Sequence, residues 1–303
     1  MRGSLGVWIE PLPDSKTEGP ILDLHINVWR DLPGELSAID FGLSLSKIGD
    51  LQRFFLYIPA YISMAEIEDL SEVLKVGHTL SAVFNDSVEI TSHHEGSFEI
   101  KRSNNASLRI FHLNRGEHYS VEYVAISGDE QGTVICFSES LCMNLRRLGN
   151  AEAYLRFRVR LHGANRRIFS SHDMPADGWL LSRFYKTELN EFRLNERRSF
   201  PDVVAKWSSD NNFRLQRVLY FLIRDFRYEL LVQHVQFKRT RRLEPLIWKD
   251  YLNNSSTPHR SNKDIAERMV IYQWREDARK SSDDSGKIST KWIEDFSAFA
   301  AFK

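Results

Sequence analysis

Arginine is the residue type whose spacing in this chain implies chemistry most directly. In Ala153-Tyr154-Leu155-Arg156-Phe157-Arg158-Val159-Arg160-Leu161 a guanidinium recurs at every second position. In an extended strand that period sets Arg156, Arg158 and Arg160 on one face and Leu155, Phe157, Val159 and Leu161 on the other. A guanidinium is a planar, permanently charged fork that pairs two-pronged with phosphate or carboxylate. More basic groups follow at Arg166-Arg167, Arg214, Arg217 and Lys238-Arg239-Thr240-Arg241-Arg242. Tyr220, Phe226, Tyr228 and Phe237 lie among them, and aromatics beside arginines suit stacking on bases along a phosphate backbone. The same arginines suit contact with an acidic protein surface, including the chain's own acidic part.

Two sparser sets suggest other chemistry. Asp86, Glu99 and Lys101 have the spacing of a Mg2+-dependent nuclease, in which carboxylates hold the metal and a lysine orients the attacking water. This is the alternative function. His112 and His118 flank a turn and could meet across two strands as zinc ligands, with Glu95 or Glu117 adding an oxygen. A glycine-rich phosphate loop, a Gly-x-Ser-x-Gly elbow and a His-Glu-x-x-His pair are all missing, so no cofactor is expected.

These residues need elements to position them. The 303 residues carry 41 basic and 41 acidic side chains, which excludes a globally basic, histone-like binder. The balance is uneven along the chain: residues 1–145 hold 10 basic against 21 acidic, and residues 146–242 hold 21 against 10. The charge reversal places a domain boundary at 148/149, giving an acidic β-rich domain 1–148 and an arginine-rich α+β domain 149–275. Residues 276–303 then form a polar linker and a short C-terminal helix built on Trp292, Phe296 and Phe299. The expected fold class is α+β, predominantly β: an antiparallel sandwich-like N-terminal domain and a mixed C-terminal domain with a few helices.

Strands are expected at Leu22–Val28, Ile39–Leu45 and Arg53–Ile58, then at Leu80–Phe84, Val88–Ser92 and Ser97–Lys101. A hairpin is expected from Leu108–Leu113 and His118–Ala125, and further strands at Thr133–Phe137, Ala153–Leu161 and Glu188–Asn195. Helices are expected at Met64–Leu74 and Leu243–Leu252. Residues 212–234 read as helix by their leucine stripe and as strand by the run Val218–Ile223, with helix favoured. Residues 253–263 and 276–290 read as loops.

No stretch is long and apolar enough to serve as a signal-peptide core or to span a bilayer, and Cys136 and Cys142 form no Cys-x-x-Cys pair. A cytoplasmic protein is therefore expected. The function expected is that of a non-catalytic interaction or assembly subunit in a multi-protein defence or nucleic-acid-processing machinery. Its arginine-rich residues 146–242 would contact a companion protein, a second copy or nucleic acid.

Overall fold

A computed structural model describes residues 3–13, 15, 19–30, 36–149, 151–173, 187–209, 211–253, 267–282 and 288–303. The chain opens with β1 (Gly6–Pro11), β2 (Ile21–Arg30), β3 (Leu36–Ser46) and β4 (Leu51–Ile58). Next come β5 (Ile67–Asp69), α1 (Ser71–Leu74), α2 (Thr79–Phe84), β6 (Val88–His94), β7 (Ser97–Arg102), β8 (Ser107–Phe111), β9 (Tyr119–Ser127), β10 (Glu130–Phe137) and α3 (Glu139–Arg146). The second half holds β11 (Glu152–Arg160), β12 (Ser170–Asp173), β13 (Thr187–Leu194), α4 (Asp202–Trp207), β14 (Arg214–Asp225), β15 (Leu230–Gln233), β16 (Arg239–Arg242) and α5 (Pro245–Asn253). It closes with β17 (Met269–Asp277), β18 (Arg279–Ser282), β19 (Ile288–Lys291) and β20 (Phe296–Phe302).

The fold is α+β and predominantly β. A ten-stranded mixed sheet runs β16-β17-β14-β2-β3-β11-β8-β7-β6, with β5 added beside β11. Two four-stranded sheets, β1-β4-β10-β9 and β12-β13-β20-β15, adjoin through a bridge between Leu5 and Leu194. Strand β2 explains the layering. Leu22, Leu24, Ile26 and Val28 are fully buried toward the four-stranded sheets, and each side chain buried in this way contributes about 1.5–3 kcal/mol. Asp23, His25, Asn27 and Trp29 occupy the alternate positions and face the side covered by α1, α2 and α5. A second apolar cluster there joins Trp29, Leu74, Phe98, Trp248 and Tyr251.

The charge boundary at 148/149 does not separate sheets. Strand β11 pairs with β3, β5 and β8, and β14 lies parallel to β2, so both sides of that position share the large sheet. No helix among the described residues is long and apolar enough to cross a membrane.

Several elements differ from the sequence expectation. Met64–Leu74 is a single 3-10 turn (Met64–Glu66), then β5, then the short α1. The reason is β11: β8 satisfies its backbone only at Glu152–Leu155, and β5 supplies partners for Phe157–Val159. Leu80–Phe84 is helix α2, ended by Asn85 in the left-handed conformation, because a short apolar run carries no period that separates helix from strand. The expected hairpin is absent: β8 pairs β7 and β11 in the large sheet, whereas β9 crosses to the other layer and pairs β10. Residues 214–225 form β14 rather than a helix. As a central strand it is covered on both faces, which accounts for Val218 and Phe221, the two apolar residues left outside a helical stripe.

The C-terminal aromatics form β20, not a helix. Phe296, Ala298, Ala300 and Phe302 are all buried at period two. Within 276–290, β17 extends to Asp277 and β18 pairs with β19. Residues 254–263 of the other expected loop lie outside the described residues.

Candidate functional site

The large sheet aligns polar residues into rows across its helix-covered face. One row reads Tyr154, Ser44, Asp23, Arg217, Asp277; the next reads Arg156, Gly42, His25, Leu219, Arg275. A third reads Arg158, Asp40, Asn27, Phe221, Gln273, with Arg239 beyond it. The arginine period of β11 and the polar period of β2 thus face the same way because the strands are in register.

At the β11 end this face is dry. Arg156 and Arg158 are only 1% and 4% exposed. Arg158 grips Asp40 two-pronged, Nε to Oδ1 at 2.6 Å and Nη2 to Oδ2 at 2.8 Å. The Tyr251 hydroxyl and Trp29 Nε1 each donate to Asp40 Oδ2 at 2.6 Å. Arg156 Nη2 stands 3.9 Å from the same oxygen and donates to the Tyr251 hydroxyl at 3.0 Å. Burial alone would raise the Asp40 carboxyl; Arg158, then Arg156 and Tyr251, reverse the sign and hold it below the ordinary value of 3.8. Arg160 pairs with Glu68 at 2.6 Å. The ladder on β11 is therefore engaged by carboxylates from residues 1–145. Gly42 makes room for it, since a Cβ there would collide with the Tyr154 hydroxyl.

Toward β16 the same face opens into a cleft of about 500 Å3 between the sheet, α2 and α5. Its lining brings together Arg156, Arg217, Lys238, Arg239 and Arg241 from the expected basic set, and adds Arg102 and Arg275. Seven cations thus face three carboxylates, Asp23, Glu152 and Asp277. The carboxylates are partly spent. Arg217 reaches Asp277 at 2.8 Å and Asp23 at 3.6 Å, Arg275 reaches Asp277 at 2.6 Å, and Glu152 accepts from the Ser44 hydroxyl. Arg102, Lys238, Arg239 and Arg241 form no ion pair among the described residues. Arg102 lies over the Phe84 ring at 4.9 Å, and Arg241 donates to Asn85 Oδ1 at 2.8 Å, closing β16 onto the end of α2.

No protein-family model and no curated protein matches this chain. Its chemistry must be read from the cleft itself. Four buried polar atoms of the lining have no hydrogen-bond partner among the described residues: Asp23 Oδ1, Asn27 Oδ1, Arg102 Nε and Trp248 Nε1. Buried polar groups are nearly always paired, so four orphans from β2, β7 and α5 around one concavity make it the candidate site. Burial, reinforced by Glu152 and Asp277 and opposed by Arg217, raises Asp23 to about 6. Burial, together with Arg156, Arg102 and Arg217, lowers His25 to about 3, so its imidazole is neutral.

The other expected residues lie elsewhere. Arg166 and Arg167 end a 3-10 turn after β11. Arg214 donates to the Gly19 carbonyl, stacks on Trp292 at 5.2 Å and lines a different cavity. Arg242 bonds the Glu267 carbonyl at 2.8 Å.

The nuclease set is not assembled. Asp86 bonds Ser103 in a turn before β6, whereas Glu99 pairs opposite Ser92 and neighbours Arg109 at 3.7 Å. The strand from Val88 to Ser92 alone separates the two carboxylates by about 13 Å. Lys101 shares the Glu99 face and is exposed.

His112 and His118 are not joined as ligands. The His118 ring bonds the His112 backbone carbonyl at 3.0 Å, while the His112 ring sits by Glu72 at 3.2 Å, Lys75 and the Ser71 hydroxyl. Burial, then Lys75, lowers the His112 imidazole. Among the described residues no group of three or more His, Cys, Asp or Glu gathers closely enough to hold a metal ion.

Proposed function

We propose that this protein is a non-catalytic binding subunit of a cytoplasmic multi-protein machinery, acting in defence or nucleic-acid processing, and that its basic cleft receives single-stranded nucleic acid. The observation that carries this reading is a group of cleft cations, Arg102, Lys238, Arg239 and Arg241, that form no ion pair among the described residues. Unpaired cations at a concave surface attract phosphate and release its counterions, and arginine adds two-pronged hydrogen bonds. The apolar and aromatic walls, Phe84, Phe221 and Trp248, suit bases once the strand is unpaired. A roofed concavity of about 500 Å3 admits an unstacked nucleotide and is far too small for a duplex.

The test is fluorescence anisotropy with a 5′-phosphorylated single strand of about ten nucleotides, followed against salt. Each single-strand phosphate contact contributes about 0.7 to the slope of log affinity against log salt, so Arg239→Ala and Arg241→Ala should each lower the slope by about that amount. No binding at about 50 mM salt would overturn the reading.

A second reading, contact with a companion protein or a second copy, is favoured by one observation. Edge strand β15 exposes Leu231 and Val232, with Phe226 and Val235 close by in sequence, and among the described residues it pairs with β20 alone. Light scattering across a concentration series, with Val232→Lys as the control, tests for self-association.

A further inference from the structure

We propose that the cleft is a pocket for one guanine nucleotide, its base edge at the Asp23 end and its phosphate at Lys238, Arg239 and Arg241. This rests on the nucleic-acid reading above and specifies it. The two ends of the cleft differ in chemistry. Asp23, Glu152 and Asp277 lie toward one end of the cleft, with Arg217 between Asp23 and Asp277, and Asp23 Oδ1 has no hydrogen-bond partner among the described residues. The β16 end is cationic and, among the described residues, carries no carboxylate. A ligand that fits both ends offers N–H donors at one extremity and phosphate at the other, as a nucleotide does. Among the bases, guanine sets two donors side by side on one edge, N1–H and N2–H2, in the geometry that a carboxylate accepts.

The dimensions agree. Arg239 lies three strands across from β2, about 14 Å, and four residues along it from Asp23, about 13 Å; the backbones are thus about 19 Å apart, a gap that the Asp23 and Arg239 side chains narrow from both ends. Between the ends, Asn27 Oδ1 and Trp248 Nε1 offer an unpaired acceptor and an unpaired donor to the sugar. The Arg102–Phe84 pair offers a flat wall to the base.

The experiment is calorimetric titration of the full chain with GMP, IMP, AMP and inorganic phosphate, alongside the single strand used above. The expected result is GMP binding at least tenfold tighter than AMP and IMP, with phosphate weakest. Asp23→Asn should abolish the GMP preference, lowering the GMP-to-AMP affinity ratio to about one, and a thermal melt checks that the variant is folded. The GMP-to-IMP ratio reads the same contact on the unaltered chain. Equal affinity for all four ligands overturns base recognition while leaving the basic cleft standing. Strand binding without mononucleotide binding overturns the one-nucleotide pocket. No binding of any ligand, strand included, overturns this inference and the reading beneath it together.

Discussion

Asp40→Asn tests the carboxylate at the centre of the sheet, because the substitution keeps the shape but removes the charge and turns one accepting oxygen into an NH2 donor facing other donors. The fully buried Asp40 neutralises Arg158 directly and Arg156 in part, and accepts from Tyr251 and Trp29. Removing one partner of a buried ion pair costs about 3–5 kcal/mol, against a total stability of about 5–15 kcal/mol. For 303 residues, an unfolding entropy of about 2.1 cal/mol/K per residue converts that loss into a fall in melting temperature of about 5–8 °C. Urea unfolding and thermal melts at pH 7 measure it. Arg160→Met is the control: its pair with Glu68 is partly exposed, so its loss costs about 1 kcal/mol or less. The pH dependence supplies a second readout. Asp40 is depressed in the folded protein, so its contribution is present above the ordinary value of 3.8 and is lost as pH falls through the folded value. The gap between the parent protein and the variant should therefore narrow below about pH 3.8. An Asp40→Asn protein that loses less than about 1 kcal/mol at pH 7, or no more than the Arg160 control, refutes the account of the buried hub.

Asp23 carries the opposite sign. Raised to about 6, its carboxyl supports the fold below pH 3.8 and loses that support as pH rises through 6. Asp23→Asn should thus be more stable than the parent protein at pH 7.5, by at most about 3 kcal/mol, and equal to it near pH 3.5; urea unfolding at the two pH values decides. Gly42→Ala should cost about 1–3 kcal/mol, because Tyr154 and Arg156 are too buried to move aside; a neutral effect in the same assay would contradict the close approach. Burial pushes both thiols up to about 12, so Cys136 and Cys142 should resist an aromatic disulfide reagent in the native protein and react fully in guanidinium. Rapid native labelling of either would show that the β4–β10 region opens.

The alternation in β2, β3 and β11 was legible because each residue there has one covered face of each kind, and period two survives in the sequence. The same reading placed Arg156, Arg158 and Arg160 on one side but left open what they meet. Asp40 lies more than a hundred residues upstream, and only the register of β3 against β11 brings Arg158 opposite it. Strand β14 was obscured because a strand covered on both faces has no polar period, and its leucines fall by chance on a helical stripe. In the cleft, Arg217, Lys238, Arg239 and Arg241 were visible as part of the basic block. Arg102, Trp248 and the acceptors of β2 were not, since they come from other segments folded against it. The signal available for Asp23 and Asn27 was the polar period of Leu22–Val28, which reads equally as a solvent face. Structure was needed to show that helices cover it.

The parallel pairing of β2 with β14 sets a schedule for the molecule's birth. Ile21 lies beside Arg214, so the central sheet has no closed edge there until that distant strand has left the ribosome. At about 5–20 residues per second, β2 waits roughly 10–40 s with one side unpaired. During that interval its four buried apolar side chains and its open backbone form a surface that other nascent chains can join. The half-made chain is accordingly the vulnerable species, and the yield of folded protein should follow the speed of translation through residues 30–214 and the supply of chaperones more closely than the stability of the finished sheet.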